Sequence, residues 1–258
     1  MARILASEDR LAEASAEVLV LPEGRVIRQG ACPHVFDANL IRHPRLSLDG
    51  LDQALEALSA PLRAIGARHV QIACDEQPLD DAVAQALRRR GYQGERLLAM
   101  ALPGAPARRA DGAVKILAVE GEAPEPWYPQ VMERMSRDEP WYSPRVSREI
   151  ITSLTSKADA GVLALHVAAL DRRPVGAAGL AMDAERGIAA ITTVGTVPEA
   201  RHRGVAQALV VTLAERAQAA GCDLVYLVAR AEDTPKEMYR KLGFEVVHGF
   251  DVWLRPPQ

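Results

Sequence analysis

The residues best suited to chemistry lie between a predicted strand and a predicted helix. Arg201, Gly204 and Ala206 belong to the run Thr196-Val-Pro-Glu-Ala-Arg-His-Arg-Gly-Val-Ala-Gln. The first amides of a helix have no partner within it and carry the positive end of its dipole, so they bind phosphate groups. A glycine and a small residue keep the backbone accessible, and two arginines add charge. The segment therefore predicts a diphosphate site.

The elements around this segment follow a regular order. Before it, the apolar pattern predicts a strand, two helices and three strands over residues 113–119, 127–137, 146–154, 162–170, 175–182 and 188–194. After it, the pattern predicts a helix, a strand, a helix and two strands over residues 204–220, 224–228, 234–242, 244–247 and 250–254. The middle strands read as an antiparallel meander. The fold class is therefore α/β, with a mixed α+β sheet covered by helices on both faces.

The loop resembles the acetyl-CoA loop of the GNAT (GCN5-related N-acetyltransferase) superfamily, whose pattern is Gln or Arg, two residues, Gly, one residue, then Gly or Ala. Arg201, Gly204 and Ala206 fill these three positions. Val-Pro precedes the loop, and Met-Tyr-Arg-Lys-Leu-Gly-Phe follows where the family has its Tyr and Gly-Phe. The resemblance covers residues 113–254 and implies a GNAT fold.

The resemblance also implies roles for individual residues, with acetyl-CoA as cosubstrate. The residues that would bind the coenzyme A diphosphate, mainly through backbone amides, are Arg201, His202, Arg203, Gly204, Val205, Ala206 and Gln207. Val194, Gly195 and Thr196 would pair with the pantetheine arm through their backbone, and an amide there would polarise the thioester carbonyl. Tyr239 stands where many members have a tyrosine that protonates the departing thiolate.

The sequence departs from the family pattern in two places. Glu232 stands where the family often has an Asn that contacts the coenzyme. Many members also carry a Glu on the fourth or fifth strand that deprotonates the amine, but residues 188–196 and 224–228 contain no carboxylate. The candidates for this base are His166, Asp138 and Glu139, each of which also has a structural or solvated interpretation.

Two aromatic residues lie where the family gathers its acceptor. Trp141 and Tyr142 could form a wall for a substrate, or they could pack between domains.

The N-terminal region ends in the same order of elements as the C-terminal region. A helix over 51–64, a strand over 69–73, a helix over 80–90 and a strand ending at Leu102 precede a Pro- and Gly-rich linker over 102–112. We therefore expect two tandem copies of one fold, with domains at 1–108 and 112–258. Leu87 takes the place of Tyr239 and no diphosphate motif precedes the helix at Leu51. The first domain is thus expected to be a degenerate GNAT-like domain that supports or lids the acceptor site.

Composition excludes several classes of protein. The chain has 258 residues and a formal net charge of −3, which argues against nucleic acid as a partner. Cys32, Cys74 and Cys222 lack paired spacing and are expected to be buried, and the histidines show no metal spacing, so no metal is predicted. No stretch resembles a membrane span or a signal peptide, which predicts a cytoplasmic protein without membrane contact.

The predicted function is acetyl-CoA-dependent N-acetyl transfer to a primary amine, on a small molecule or a peptide. The amine would attack the thioester directly in a ternary complex, since no cysteine lies near the motif. The alternative is a catalytically silent acyl-CoA sensor or interaction protein, which the missing strand carboxylate favours and Tyr239 opposes. A dinucleotide-binding fold is disfavoured because no Gly-x-Gly-x-x-Gly follows a first strand. A monomer and a homodimer both remain open.

Overall fold

The computed structural model describes residues 1–76, 78–110, 112–124, 126–137 and 143–257. The first half contains α1 (Ala2–Glu13), β1 (Glu17–Leu21), β2 (Gly24–Arg28), β3 (Leu40–Arg42), α2 (Leu51–Ala64), β4 (Val70–Cys74), α3 (Asp81–Arg89) and β5 (Gln93–Leu102). The second half contains β6 (Val114–Ala118), α4 (Trp127–Ser136), α5 (Pro144–Asp159), β7 (Ala164–Leu170), β8 (Arg173–Asp183), β9 (Ile188–Thr196), α6 (Val205–Ala219), β10 (Leu224–Arg230), α7 (Pro235–Lys241) and β11 (Glu245–Arg255). Short 3₁₀ turns occupy Phe36–Ala38 and Pro198–Ala200.

The eleven strands of the described residues form one mixed sheet that runs through both halves. Its order is β1-β2-β3-β4-β11-β5-β10-β9-β8-β7-β6. The last strand of the first half, β5, lies against β10, and the last strand of the second half, β11, lies against β4. These two exchanged strands pair antiparallel with each other from Glu245 opposite Ala101 to Leu254 opposite Gln93. Neither half therefore completes its part of the sheet with its own strands alone.

The two halves repeat one arrangement around the β5–β11 pair. The series β3, α2, β4, α3, β5 corresponds to β9, α6, β10, α7, β11. In each half the first two strands of the series are parallel neighbours. The helix between them begins after a left-handed glycine, Gly50 with φ 78° or Gly204 with φ 75°. The expected repeat is thus visible in the topology, while the domain boundary between residues 108 and 112 stays a prediction.

Helices of the second half cover both faces of its sheet. A Cβ added to Gly176 of β8 would lie 2.8 Å from Val205 of α6, whereas one added to Gly195 of β9 would overlap Met135 of α4. Those two glycines are one step apart across the ladder and so face opposite sides. The helix α6 has eight buried residues, and burying each Val or Leu side chain contributes about 1.5–3 kcal/mol. This packing fixes the position of the loop before α6.

Most of the predicted elements of the second half are observed, with one correction. Two terminal strands were expected over 244–247 and 250–254, but β11 is a single strand with a bulge between Val246 and His248. Gly249 does not break it, because its backbone stays paired to Leu98. Cys32, Cys74 and Cys222 are buried free thiols, as expected.

Candidate functional site

The parallel strands β9 and β10 separate halfway along their length. They pair from Ile188 opposite Leu224 to Ile191 opposite Leu227, and the described pairing stops there. Beyond that point β10 remains paired with β5 on its other edge, and Thr192–Thr196 of β9 remains paired only with β8. The result is a cleft between two parallel strands, bordered by backbone groups of β9.

A bulge in β9 marks the beginning of this cleft. Ala177 pairs with Gly195 and Gly179 pairs with Thr192, so β9 has one more residue than β8 across this interval. Thr193 has a positive φ of 54°, which few non-glycine residues adopt. The bulge therefore interrupts the regular ladder between β8 and β9 at the beginning of the cleft.

The residues expected to pair with pantetheine, Val194, Gly195 and Thr196, lie on the unpaired edge of β9. All three are half-buried. A side chain at Gly195 would overlap the end of the Met135 side chain of α4, which would have to move to admit it. The Thr196 hydroxyl is buried without a hydrogen-bond partner. The strand then ends with a bond from Val197 N to Val175 O of 2.9 Å.

The loop between β9 and α6 leaves the start of the helix without a side-chain cap. Gly204 is the N-cap residue, and the first backbone bond of α6 runs from Ala208 N to Gly204 O over 2.9 Å. The amides of Val205, Ala206 and Gln207 precede that bond and are the donors a helix leaves unsatisfied. A Cβ on Gly204 would meet nothing within 4 Å, so its positive φ is what requires glycine. The space in front of these amides is open.

The basic residues of this loop are exposed around the helix start. Arg201, His202 and Arg203 all face solvent. Arg203 lies 3.5 Å from Asp171, in an exposed pair that contributes little to stability. His202 adopts a positive φ of 63°, which directs the turn into Gly204. An anion at the start of α6 would therefore have cationic side chains as well as amides beside it.

Tyr239 lies on α7 and packs beneath the sheet of the second half. Its side chain is 7% exposed, and its ring meets the ring of Phe244 edge-on at 6.2 Å. Burial, together with the negative charge of Asp233, raises the pKa of Tyr239 to about 12. The hydroxyl is therefore protonated at neutral pH and able to donate a proton. Glu232 is exposed just before this helix.

The other predicted site residues are not brought to this cleft by described contacts. His166 of β7 is buried, and the strands β8 and β9 separate it from β10. Its Nδ1 lies 3.2 Å from Ala164 O. Burial, with the nearby Arg216, lowers the pKa of His166 to about 4. Asp138, Glu139, Trp141 and Tyr142 lie outside the described residues.

A carboxylate that sequence reasoning missed lies beside the cleft. The hydroxyl of Tyr226 on β10 donates a hydrogen bond to Glu8 Oε1 of α1 over 2.8 Å. Tyr226 is fully buried and pairs with Ala190, one position before the strands separate. The helical pattern of residues 2–13 was the available signal, since α1 is amphipathic with Ile4 in the core. A carboxylate 218 residues away from its partner was not predictable from spacing.

The described residues contain no group of three or more His, Cys, Asp or Glu side chains that could hold a metal ion. Within the same part of the chain, no helix is both long and apolar enough to cross a membrane.

The sheet with its separated parallel strands, the glycine-led helix start and the repeated halves define a tandem GNAT fold. Solved structures share this fold over nearly the whole chain. A conserved protein of unknown function from Staphylococcus epidermidis superimposes with a TM-score of 0.74 at 16% identity, covering 95% of this chain and 96% of that one. A GCN5-related N-acetyltransferase from Kribbella flavida gives a TM-score of 0.65 at 17% identity, covering 100% and 95%. A tandem GNAT protein from the clavulanic acid biosynthesis pathway gives 0.56 at 15%, covering 98% and 88%.

Residues 124–244 match the model of the acetyltransferase (GNAT) family. This segment, just under half of the chain, is similar to GNAT acetyltransferases and contains the cleft, the loop and Tyr239. No curated protein matches the chain.

Proposed function

We propose that this chain is an acetyl-CoA-dependent N-acetyltransferase that acts on a primary amine of a small molecule or a peptide. The observation that carries the proposal is the continuity of two features: the edge of β9 at residues 192–196 leads directly into the uncapped start of α6. An extended arm that ends in a diphosphate fits that path. Coenzyme A has this shape.

Each part of acetyl-CoA has a matching group in the cleft. The diphosphate would accept hydrogen bonds from the amides of Val205, Ala206 and Gln207, which the helix dipole strengthens. Pantetheine would pair with the β9 backbone at Val194 and Thr196. The thioester would then lie at the bulge, where a backbone amide can donate to the carbonyl oxygen as negative charge develops on it.

The transfer itself needs no covalent enzyme intermediate. The amine nitrogen attacks the thioester carbon, the carbon–sulfur bond breaks, and the thiolate takes a proton. Tyr239 supports this last step because its hydroxyl is protonated at neutral pH and can give a proton to the thiolate. All three cysteines are buried. Cys222 lies just before the start of β10, at the end of that strand that is distant from the cleft. Direct attack in a ternary complex is therefore the proposed mechanism.

Titration of acetyl-CoA by calorimetry, with a matched pair of variants, tests the proposal. Gly204→Glu places a carboxylate in the open space before α6, and Gly50→Glu makes the same change at the corresponding left-handed glycine of the first half. Because φ is 75° and 78° at the two sites, the backbone strain is equal. We expect loss of binding in Gly204→Glu alone. Absence of binding to the wild type would reject the proposal.

A panel of amines, followed by release of free thiol, separates a transferase from a sensor. Turnover of any primary amine supports the transferase. Tight acetyl-CoA binding with no thiol release from any amine or from water would instead indicate the sensor that lacks catalysis.

A further inference from the structure

A carboxylate from the first half reaches the place where β9 and β10 separate. Glu8 lies on α1, which packs against β9, and it is held by the hydroxyl of Tyr226 at 2.8 Å. Tyr226 is directly opposite Ala190, and the last paired position is Ile191 with Leu227. The strand residues themselves offer no acid, because neither β9 nor β10 contains Asp or Glu. Glu8 therefore provides the carboxylate that the two strands of the cleft lack.

We propose that Glu8 is the proton acceptor for the attacking amine, so that the first half of the chain supplies a catalytic residue to the site in the second half. This inference rests on the transferase function proposed above. Its ground is geometric: the half-buried Glu8 carboxylate is fixed by Tyr226 over the last paired positions of β9 and β10. Tyr226 occupies Oε1, which leaves Oε2 for a proton.

The proton balance of the reaction requires such a group. When an amine nitrogen attacks the thioester carbon, the nitrogen becomes positively charged and must lose a proton to form a neutral amide. In the proposed step the proton passes from that nitrogen to Glu8 Oε2, the carbon–sulfur bond breaks, and Tyr239 gives its proton to the departing sulfur. Glu8 then returns a proton through solvent to the Tyr239 phenolate. The net products are the amide and free coenzyme A.

The surroundings of Glu8 make its carboxylate a stronger proton acceptor. Burial raises the pKa of Glu8, while the charge of Arg42 and the Tyr226 hydrogen bond lower it in part. The charged and titratable groups that act on Glu8 come from β3, the end of β4, the first 3₁₀ turn, α5 and β10: Arg42, Asp75, Asp37, Lys157 and Tyr226. A carboxylate with a raised pKa is a stronger base than one in water, and it is still ionised above that pKa.

The test compares three variants by thiol release across pH, with the best amine of the panel or with water as acceptor. Glu8→Gln is expected to lower kcat/KM at pH 7 by about 100-fold or more and to remove the acid limb of the pH profile, because no group remains to be protonated. Tyr226→Phe removes the donor that favours the ionised carboxylate, so the acid limb should move to higher pH. Glu13→Gln makes the same amide substitution on α1, where Glu13 pairs with Arg25, and should match the wild type.

Calorimetry of acetyl-CoA with the same proteins separates the two proposals. The inference predicts unchanged affinity in Glu8→Gln and Tyr226→Phe, since neither contacts the cofactor path. If acetyl-CoA binds and Glu8→Gln turns over with the wild-type acid limb, Glu8 is not the acceptor and the transferase proposal stands. An unmoved acid limb in the isosteric Tyr226→Phe protein contradicts the assignment as well. No thiol release from the wild type overturns both proposals.

Discussion

Gly50 and Gly204 hold the same left-handed conformation at the same place in the two halves, each directly before the helix that joins two parallel strands. Their surroundings differ in charge. Gly204 is flanked by Arg201 and Arg203, whereas Gly50 is preceded by Asp49 and followed by Asp52. Two acids at a helix start repel a diphosphate. The first half therefore has the same glycine conformation but not the charge that diphosphate binding requires.

This difference predicts one acetyl-CoA per chain. We expect calorimetry to give a stoichiometry near one, and the Gly50→Glu protein to bind as tightly as the wild type. An ion pair between Arg42 and Asp75, 2.5 Å long and buried, also closes the end of the β3–β4 pair, where a second cleft would lie. Two binding events, or a single event lost only in Gly50→Glu, would contradict the assignment of the site to Gly204.

Replacing Tyr239 by Phe should slow thiol release about 100-fold while the affinity for acetyl-CoA stays the same. The hydroxyl is the acid proposed for the thiolate, and the buried phenyl ring keeps its edge contact with Phe244. Steady-state kinetics with the best amine measures the effect. Tyr128→Phe is the matched control, because Tyr128 is equally buried on α4 with its pKa also raised by burial. Equal losses in both variants would point to packing rather than proton transfer.

Replacing only one partner of the buried ion pair between Arg42 and Asp75 should strongly destabilise the folded protein. Arg42→Met leaves Asp75, whose side chain is 2% exposed, without its cation, and we expect a loss of about 3–5 kcal/mol in the free energy of unfolding. Denaturation in urea measures this loss. Arg42→Met with Asp75→Leu should recover much of the stability, since both charges are then removed. A double variant as unstable as the single one would show that the other partner of Arg42, Asp9, dominates.

Protonation of His166 should oppose folding in mild acid. Its pKa falls from 6.5 to about 4 in the folded chain, because burial disfavours the charged ring. The folded state is therefore fully favoured above pH 6.5, and it loses up to roughly 3 kcal/mol as pH falls from 6.5 to 4, where the unfolded chain binds the proton first. Unfolding free energies of His166→Gln should show a shallower decline over this window. His202→Gln, at an exposed position, should keep the wild-type slope.

The exchange of β5 and β11 predicts that neither half folds alone. A fragment of residues 1–108 would lack the β11 that separates β4 from β5, and a fragment of residues 109–258 would lack the β5 that lies between β10 and β11. We expect each fragment alone to lack cooperative unfolding, and the two expressed together to form a complex that binds acetyl-CoA. A cooperative, acetyl-CoA-binding 109–258 fragment would contradict this view.

Local patterns predicted much of the second half because each element there carries its own signal. The helix from Val205 has apolar residues at helical spacing, and Gly204 and Gly221 bound it. Fewer elements of the first half were predicted. The strand β3, for example, has only three residues, Leu40–Arg42, and the chain on either side of it is irregular. The pattern also could not reveal that Gly249 stays inside a continuous strand.

Partners distant in sequence explain what was missed at the site. The loop and Tyr239 were named from a motif, whose members are close in sequence or at a fixed distance. Glu8 meets Tyr226 only because α1 folds back across the sheet of the second half, and no periodicity records that contact. Because β9 and β10 contain no acid, the sequence offered His166, Asp138 and Glu139 as candidates for the base, and not Glu8.

The exchanged strands also constrain the order in which the chain can fold during synthesis. Residues 1–108 leave the ribosome long before β11, which occupies the gap between β4 and β5. The edges of β4 and β5 therefore stay unpaired until β11 has been synthesised. Such long-range pairing is slow, and the unpaired edges are prone to aggregation. The nascent protein thus depends on β11 for both halves, and a chain released before β11 is synthesised would have neither half complete.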